Sequence, residues 1–250
     1  MPPLGALAAF VLLWQGYVSI KSQPAWLLPG PFLTLQTFWL KRGLLLENAA
    51  VTFYEAFLGL ILAVLLAVLL AFLLTALPKL GQGVYPLLVA SQVVPIIVLA
   101  PLFLIWFGYG LLPKILVVIL ICFFPIVINF FAGLNAFDAS ALAFYRHMGA
   151  SPLRLFFKVR LPGALPYFFG GLRVAAAYSV MGAVIGEWQA AEKGLGRLIT
   201  VAQDAYNAAL VFAAILAIAL LSGAIFGLVW LAERHFLRWR RVGGGGPPET

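Results

Sequence analysis

Long apolar blocks without charges, separated by short polar connections, dominate this chain. Six blocks can be marked, at about residues 4–20, 49–77, 84–107, 111–132, 164–188 and 208–232. The clearest stretch, residues 56–77, contains no charged residue. At a helical rise of about 1.5 Å per residue it covers about 33 Å, which is enough to cross a hydrocarbon core about 30 Å thick. The pattern predicts an all-α fold, a polytopic membrane helix bundle with about six transmembrane helices.

Two segments near the N-terminus need separate interpretation. Residues 31–46 are short and carry Trp39, Lys41 and Arg42 among apolar residues, which favours an interfacial helix lying along the membrane surface. The first block could pass for the apolar part of a signal peptide. However, no lysine or arginine precedes it and no small-residue cleavage pattern follows it before Lys21, so we expect a retained first helix.

Composition supports a membrane protein and excludes several other classes. The 250 residues are 64% hydrophobic and only 10% charged, whereas soluble domains are about a quarter charged. The net charge of +8 comes from basic residues at the ends of apolar blocks, so we interpret them as topology signals and expect no nucleic-acid partner. A single cysteine, Cys122, excludes an intrachain disulfide and a thiolate metal cluster within one chain.

The distribution of basic residues predicts the orientation in the membrane, because cytoplasmic loops hold the excess of lysine and arginine. The 134–163 connection contains Arg146, Arg154, Lys158 and Arg160, and the C-terminal end contains Arg234, Arg238, Arg240 and Arg241. Both should face the cytoplasm, and six spans then place the N-terminus there as well. We expect one transmembrane domain over residues 1–241, followed by a disordered Gly/Pro-rich tail at 242–250.

Prolines and small residues inside the blocks predict kinks and close helix contacts. Prolines fall inside the third block at Pro86, Pro95 and Pro101 and inside the fourth at Pro125. Each removes a backbone donor and should kink its helix, either near a pathway or simply for packing. Small residues at helical spacing occur in the fifth block at Gly171, Ala175, Ser179, Gly182 and Gly186, and in the sixth at Gly223 and Gly227. Such rows favour close approach of helices in lipid.

The 134–163 connection is too long for a tight turn and predicts two short helices separated at Gly149. Asp138 or Ser140 can cap the first helix, and Gly149 suits the left-handed backbone that would close it. Ser151 followed by Pro152 is a good start for the second.

On the second helix Leu153, Phe156 and Phe157 share a face, while the basic residues point elsewhere. An amphipathic element of this kind either covers the inner end of the bundle or docks into a groove on a soluble partner.

A family resemblance favours docking. Gly149-Ala150-Ser151, Phe156, Val159, Leu161-Pro162 and Pro166 are similar to the G-A-x5-F-x2-V-x-L-P-x3-P pattern in the cytoplasmic loop of ABC importer permeases. The resemblance implies a coupling helix that docks into an ATPase subunit. The residues it assigns to coupling are Arg146, Gly149, Ala150, Ser151, Phe156, Val159, Leu161 and Pro162. The family motif usually opens with Glu-Ala-Ala, where this chain has Ala143-Phe144-Tyr145.

The resemblance extends over about residues 47–241 and points to one branch of these permeases. It is carried by Pro95, Ala100-Pro101-Leu102, Trp106-Phe107-Gly108, Phe124-Pro125, Gly171-Leu172-Arg173, Gly186-Glu187 and Gly194-Leu195-Gly196. This branch serves uptake of nitrate, taurine, alkanesulfonates and thiamine pyrimidine precursors. Residues 183–188 and 209–214 look most similar to permeases for hydroxymethyl- or formylamino-pyrimidines, and the other substrates of the branch are the alternative.

Charged and polar residues inside the apolar blocks are candidates for a substrate pathway, because a charge at mid-bilayer is costly without a partner or water. Arg173 should need a partner. Glu187 and Trp188 fall at the outer end of the fifth block, where Glu187 could be structural and Trp188 an interface anchor. Gln92, inside the third block, could line a pathway or bond another helix. Glu55 should mark the outer edge of the second block.

No sequence motif for catalysis is present. The chain lacks a G-x4-G-K-[ST] phosphate loop and a His-Glu-x-x-His motif, so we expect no catalytic or metal site and no cofactor bound by this chain. The resemblance implies a second permease copy, two ABC ATPase subunits that bind ATP and Mg, and an extracytoplasmic substrate-binding protein. Two other classes remain open: an ion-gradient-driven secondary transporter and a membrane-embedded enzyme. The sequence shows neither the internal repeats expected of a secondary transporter nor the convergent carboxylates expected of a membrane-embedded enzyme.

Overall fold

The computed structural model describes residues 3–21, 24, 26–137, 144–145 and 147–239. Its helices are α1 (Pro3–Ile20), α2 (Pro31–Leu40), α3 (Arg42–Ala76), α4 (Pro78–Ser91), α5 (Ile96–Phe107), α6 (Leu111–Asn135), α7 (Pro152–Leu155), α8 (Leu161–Ala190), α9 (Leu195–Asp204) and α10 (Ala208–Phe236). A π-helical segment, Phe156–Arg160, joins α7 to α8. Because the described ranges contain helices and no strand, the predicted all-α membrane bundle is confirmed.

Four helical segments are long and apolar enough to cross a membrane: α3, α6, α10 and the continuous run from α7 to α8. The third predicted block is not one kinked helix, so that prediction was wrong. It forms α4 and α5, which are bent by 97° at a short break and together make either a broken span or a re-entrant loop. The break ends at Pro95, which has an extended backbone and no N–H to continue the helical ladder.

The boundary between the predicted interfacial segment, residues 31–46, and the second block, residues 49–77, lies at a different place in the structure. The short helix α2 ends at Leu40, and Lys41 turns the chain before α3 begins at Arg42. Helix α3 then continues for 35 residues, or about 52 Å, so it extends well past one hydrocarbon core. Residues 42–46 therefore belong to the long helix. Leu45 is buried in an apolar cluster with residues of α9 and α10.

The core lies between α3, α6 and α8, where small residues bring the helix backbones together. A Cβ added at Gly182 would lie 3.1 Å from the Val118 backbone, and one added at Gly186 would lie 2.9 Å from the Lys114 backbone. The predicted close face on the fifth block is thus confirmed. A Cβ added at Gly223 or Gly227 of α10, by contrast, would have no atom of the described residues within 4 Å. This pair therefore makes no close helix contact within the described part of the chain.

The bundle has two ends that matter for function. We call the end where α6 and α7 are connected, through residues 136–151, the loop end. The opposite end, where α8 turns into α9, is the far end.

Candidate coupling surface and buried polar network

The turn at the loop end has the predicted local geometry. Gly149 has a φ of +82°, the left-handed conformation that L-residues adopt only at a cost. Ser151 caps α7, since its hydroxyl accepts a 3.3 Å hydrogen bond from the Arg154 N–H. The predicted helix before this turn lies largely outside the described residues, as does Arg146.

The second predicted helix is not a separate element, because it continues through the π-helical segment into α8. The Leu161 N–H donates to the Phe156 carbonyl, five residues back, and Pro162 follows without an N–H of its own. A proline removes one donor from the regular ladder, and π-helical turns of this kind are often found at functional sites. We call α7 and the π-helical segment, residues 152–160, the coupling segment. It is joined to α8 without a flexible linker.

The predicted apolar face of this segment is divided between the bundle and the outside. Phe156 packs edge-on against Phe72 of α3 at a ring separation of 5.6 Å, and Leu155 is buried. Leu153 and Phe157 are instead 71% and 59% exposed. The sequence pattern placed Leu153, Phe156 and Phe157 on one face, whereas the structure packs Leu155 and Phe156 against the bundle and leaves Leu153 and Phe157 exposed.

An apolar groove opens beside these exposed side chains. It has a volume of about 470 Å³ and lies between the end of α3 and the coupling segment. Thr75, Leu153, Phe157 and Arg160 are among its lining residues, and Met148 is exposed at the preceding turn. We call Met148, Leu153 and Phe157 the coupling surface.

The other predicted coupling residues lie inward of this surface. Phe156 and Leu161 are half-buried and pack against the main core, and Val159 and Pro162 are also half-buried. Gly149 and Ser151 are exposed, and Ala150 is partly covered. In this geometry the turn contacts the outside, while Phe156 and Leu161 connect it to the bundle.

At the far end, Glu187 is fully buried although it lies near the end of α8. Its carboxylate accepts hydrogen bonds from the Thr52 hydroxyl of α3 at 2.6 Å and from the Gly196 N–H of α9 at 2.5 Å. Both of its oxygens therefore have partners within the protein.

Glu55, expected at the outer edge of the second block, is buried beside Glu187. Its Oε1 lies 2.6 Å from the Nζ of Lys114 on α6, and its Oε2 has no hydrogen-bond partner in the described structure. The Glu55 and Glu187 carboxylates lie close enough to interact electrostatically. The sequence analysis gave Lys114 no role, although this residue lies inside the fourth apolar block.

The partner expected for Arg173 is Glu233. The Arg173 Nε lies 3.3 Å from the Glu233 Oε2 on α10, in the loop-end half of the bundle. The Arg173 side chain is 42% exposed and the Glu233 side chain 18%, so the pair lies partly at the surface of the single chain. Sequence reasoning could find the need for a partner but not the helix that supplies it.

The remaining pathway candidates are exposed in the single chain. Gln92 follows the last residue of α4 at the break before α5, so it is not buried within a continuous span. Trp188 is also exposed, at the far end of α8. The two residues are available to a pathway or to another subunit.

Comparison with known proteins decides the family. Residues 57–238 match the family described as binding-protein-dependent transport system inner membrane component. The chain belongs to this family, the ABC importer permeases. This permease is accordingly a multi-pass inner-membrane transport subunit and not a catalytic enzyme.

Relatives of this permease have different substrates in their names. It is 40% identical to the riboflavin transport system permease protein RibX of Chloroflexus aurantiacus over 243 residues, covering 95% of this chain and 91% of that one. It is 35% identical to the formylaminopyrimidine transport permease protein ThiX of Halalkalibacterium halodurans, covering 92% of each chain. It is 30% identical to the putative aliphatic sulfonates transport permease protein SsuC of Bacillus subtilis, covering 93% of this chain and 85% of that one.

A solved structure has the same fold. The inward-facing MetNI methionine ABC transporter contains a chain that matches this permease with a TM-score of 0.59 and 23% identity. The match covers 80% of this permease and 98% of that chain.

Proposed function

We propose that this permease forms the membrane channel of an ATP-driven importer whose substrate is a small heteroaromatic solute delivered by a binding protein. The observation that carries the proposal is the coupling surface, an exposed apolar patch that flanks the turn at Gly149 and is joined to α8 through the π-helical segment. A secondary transporter has no need of such a patch at one end of its bundle.

The loop end faces the cytoplasm in this proposal. In the sequence, the 134–163 connection and the segment after residue 233 contain eight Lys and Arg residues. The far-end connections contain five: Lys21, Lys41, Arg42, Lys193 and Arg197. An excess of this kind is retained on the cytoplasmic side. The far end, with α9, then faces the extracytoplasmic binding protein. Both termini are cytoplasmic if α1 and the α4–α5 pair each cross the membrane once.

Coupling follows from how the segment is built. Two permease copies surround one pathway, and an ATPase subunit docks on each coupling surface and binds ATP and Mg. When the ATPases close on ATP, a displacement at Gly149, Ala150 and Ser151 passes through Phe156 and Leu161 into α3 and α8, since those side chains pack on the core. The bundle then changes between inward-open and outward-open arrangements.

Three of the four pathway candidates suit contact with a passing solute. Gln92 and Trp188 are exposed, and Arg173 is partly exposed beside Glu233. The carboxylate of Glu187 is occupied by Thr52 and Gly196, so it meets solute only in a conformation where those bonds are broken.

The substrate proposal rests on the residues and on the named relatives. The similarity at 183–188 and 209–214 favours a hydroxymethyl- or formylamino-pyrimidine, in agreement with the ThiX relative. The RibX relative, at 40% identity over nearly the whole chain, favours riboflavin as the second candidate. Both solutes are planar nitrogen heterocycles.

The test is uptake into proteoliposomes that contain the purified complex of permease, ATPase and binding protein. Formylaminopyrimidine, riboflavin, taurine and an alkanesulfonate are compared as labelled solutes, with and without ATP. We expect ATP-dependent uptake of a heterocycle and none of the sulfonates. The Gly149→Asp complex is the control, since added charge and a strained turn should abolish uptake while the permease stays in the membrane. Uptake without ATP, or full uptake by Gly149→Asp, would contradict the proposal.

A further inference from the structure

The first turn of α9 is held by side chains of other helices. The Gly194 N–H donates to Asn48 Oδ1 at 2.9 Å, and the Leu195 N–H donates to Thr52 Oγ1 at 2.9 Å. The Gly196 N–H donates to Glu187 Oε2 at 2.5 Å. All three bonds are buried, and their acceptors belong to α3 and α8. Three successive donors at one helix start thus depend on two distant segments of the chain.

This helix cannot cap itself. Its N-cap residue is Gly194, which has no side chain and a φ of +126°. The first N–H groups of any helix lack partners within that helix, and a buried donor without a partner costs free energy. The side chains of Asn48, Thr52 and Glu187 supply the acceptors that a serine or aspartate at the N-cap normally provides.

The two glycines leave the space that the carboxylate occupies. A Cβ added at Gly194 would collide with the Glu187 carboxylate, and one added at Gly196 would lie 2.7 Å from the Val184 carbonyl oxygen. The Gly186-Glu187 and Gly194-Leu195-Gly196 motifs, which are separate in sequence, therefore form one structural unit.

The Thr52 hydroxyl links the two sides of this unit. It accepts from the Leu195 N–H and donates its own proton to Glu187 Oε1 at 2.6 Å. The Thr52 hydroxyl and the Gly196 N–H satisfy both oxygens of the Glu187 carboxyl group, and the Glu55–Lys114 pair lies beside it.

We propose that Glu187 is a positioning residue that, through Thr52 and Gly196, latches α9 onto the far end of α3 and α8. Beneath the latched helix, Leu195, Leu198 and Ile199 are buried in an apolar cluster. With the latch broken, α9 leaves this cluster while the α3–α6–α8 core stays closed. The role of the latch in transport rests on the proposed function. There it keeps the far end, which receives solute from the binding protein, in a fixed shape.

Site-selective labelling tests the latch in the full-length permease in native membranes. Ile199 lies on the buried face of α9, so Ile199→Cys reports release of that helix to a water-soluble maleimide. The native Cys122 lies in the main core and reports loss of the whole bundle. Thr52→Val removes the hydroxyl while keeping its shape. Glu187→Gln leaves one of the two donors without an acceptor.

We expect Ile199→Cys to label at least about tenfold faster with Thr52→Val or Glu187→Gln, because each change leaves a buried donor without its acceptor. Thr52→Ser keeps the hydroxyl and should restore protection, and Cys122 should stay unlabelled throughout. Unchanged protection of residue 199 in both variants would overturn the proposal. Labelling of Cys122 alongside residue 199 would also overturn it, since the network would then hold the whole bundle.

A functional arm separates this inference from the proposed function. In proteoliposomes with ATPase and binding protein, Thr52→Val should lower solute uptake several-fold while basal ATP hydrolysis and ATPase binding persist, since the loop end is unaltered. Thr52→Ser should recover uptake. If the wild-type complex moves no solute, the proposed function fails while the labelling result still decides the latch.

Discussion

Ionisable side chains inside this bundle are held by specific partners on other helices. Glu55 is 1% exposed and pairs with Lys114, Arg173 pairs with Glu233, and Glu187 is bound by a hydroxyl and a backbone N–H. Breaking a buried pair from one side leaves an uncompensated charge, which costs far more than removing both partners. The buried Glu55–Lys114 pair is therefore expected to behave as a unit under mutation.

Replacing Lys114 by methionine tests the Glu55 pair. The single variant leaves Glu55 buried beside Glu187 without a cation, and should lose about 3–5 kcal/mol of unfolding free energy. The double variant Lys114→Met with Glu55→Gln removes both charges and should recover more than half of that loss. Denaturant unfolding of the purified permease measures both. A double variant less stable than the single one would show that the pair is not a unit.

Among the elements, the segment from α7 to α8 uses one aromatic residue to pack on the bundle and the adjacent one to form an exposed surface. Phe156 anchors the segment on Phe72, and Phe157, the next residue, is exposed on the coupling surface. Successive side chains of a helix point about 100° apart, so two adjacent residues can face the bundle and the outside. Stability and docking are thus separable by single substitutions.

Phe156→Ala and Phe157→Ala form a matched pair. Phe156→Ala should lower the unfolding free energy by about 1–3 kcal/mol through lost burial and ring contact. Phe157→Ala should change stability by less than about 0.5 kcal/mol, as for most surface substitutions, and should reduce co-purification of the ATPase subunit. Thermal unfolding and pull-down measure the two effects. Equal stability loss in both variants would place Phe157 inside the fold.

The break between α4 and α5 shows a limit of reading prolines from sequence. The pattern of residues 84–107 predicts one kinked span, but the chain turns by 97° before α5. Of α4 only Gly81 is buried, and of α5 only Ala100, so their packing within the protomer does not hold them in line. Whether a proline kinks or breaks a helix depends on neighbours that satisfy the freed carbonyls.

Across the whole molecule, the two ends carry different chemistry. The loop end has the coupling surface and the larger share of the basic residues, and the far end has the buried polar network and α9. At the far end Glu47 also holds Lys193 in a 2.6 Å ion pair, and this hydrogen bond raises the pKa of Lys193. The asymmetry is what a transporter needs if it receives solute at one end and is driven from the other.

Orientation can be checked with two engineered cysteines. Leu153→Cys at the loop end should label in inverted vesicles and not in right-side-out ones, and Arg197→Cys at the far end should show the reverse. The buried Cys122 should react in neither preparation. Labelling of Leu153→Cys from outside the cell would exclude docking of a cytoplasmic ATPase there.

Local features of this permease follow from the sequence alone. Runs without charge predict the helices, because only apolar segments of that length cross a membrane. Gly149 and the Ser151-Pro152 pair predict the turn and cap, because those geometries depend on neighbouring residues only. The loop motif likewise predicts the family, since it is contiguous along the chain.

Contacts between distant segments were decided only by the tertiary structure. Nothing local indicates that Lys114 meets Glu55, that Glu233 meets Arg173, or that Glu187 caps a helix that begins eight residues later. These partners depend on which faces α3, α6, α8 and α10 present to one another, and packing of small residues sets those faces. A charge within an apolar run predicts that a partner exists, but only the assembled bundle determines which residue it is.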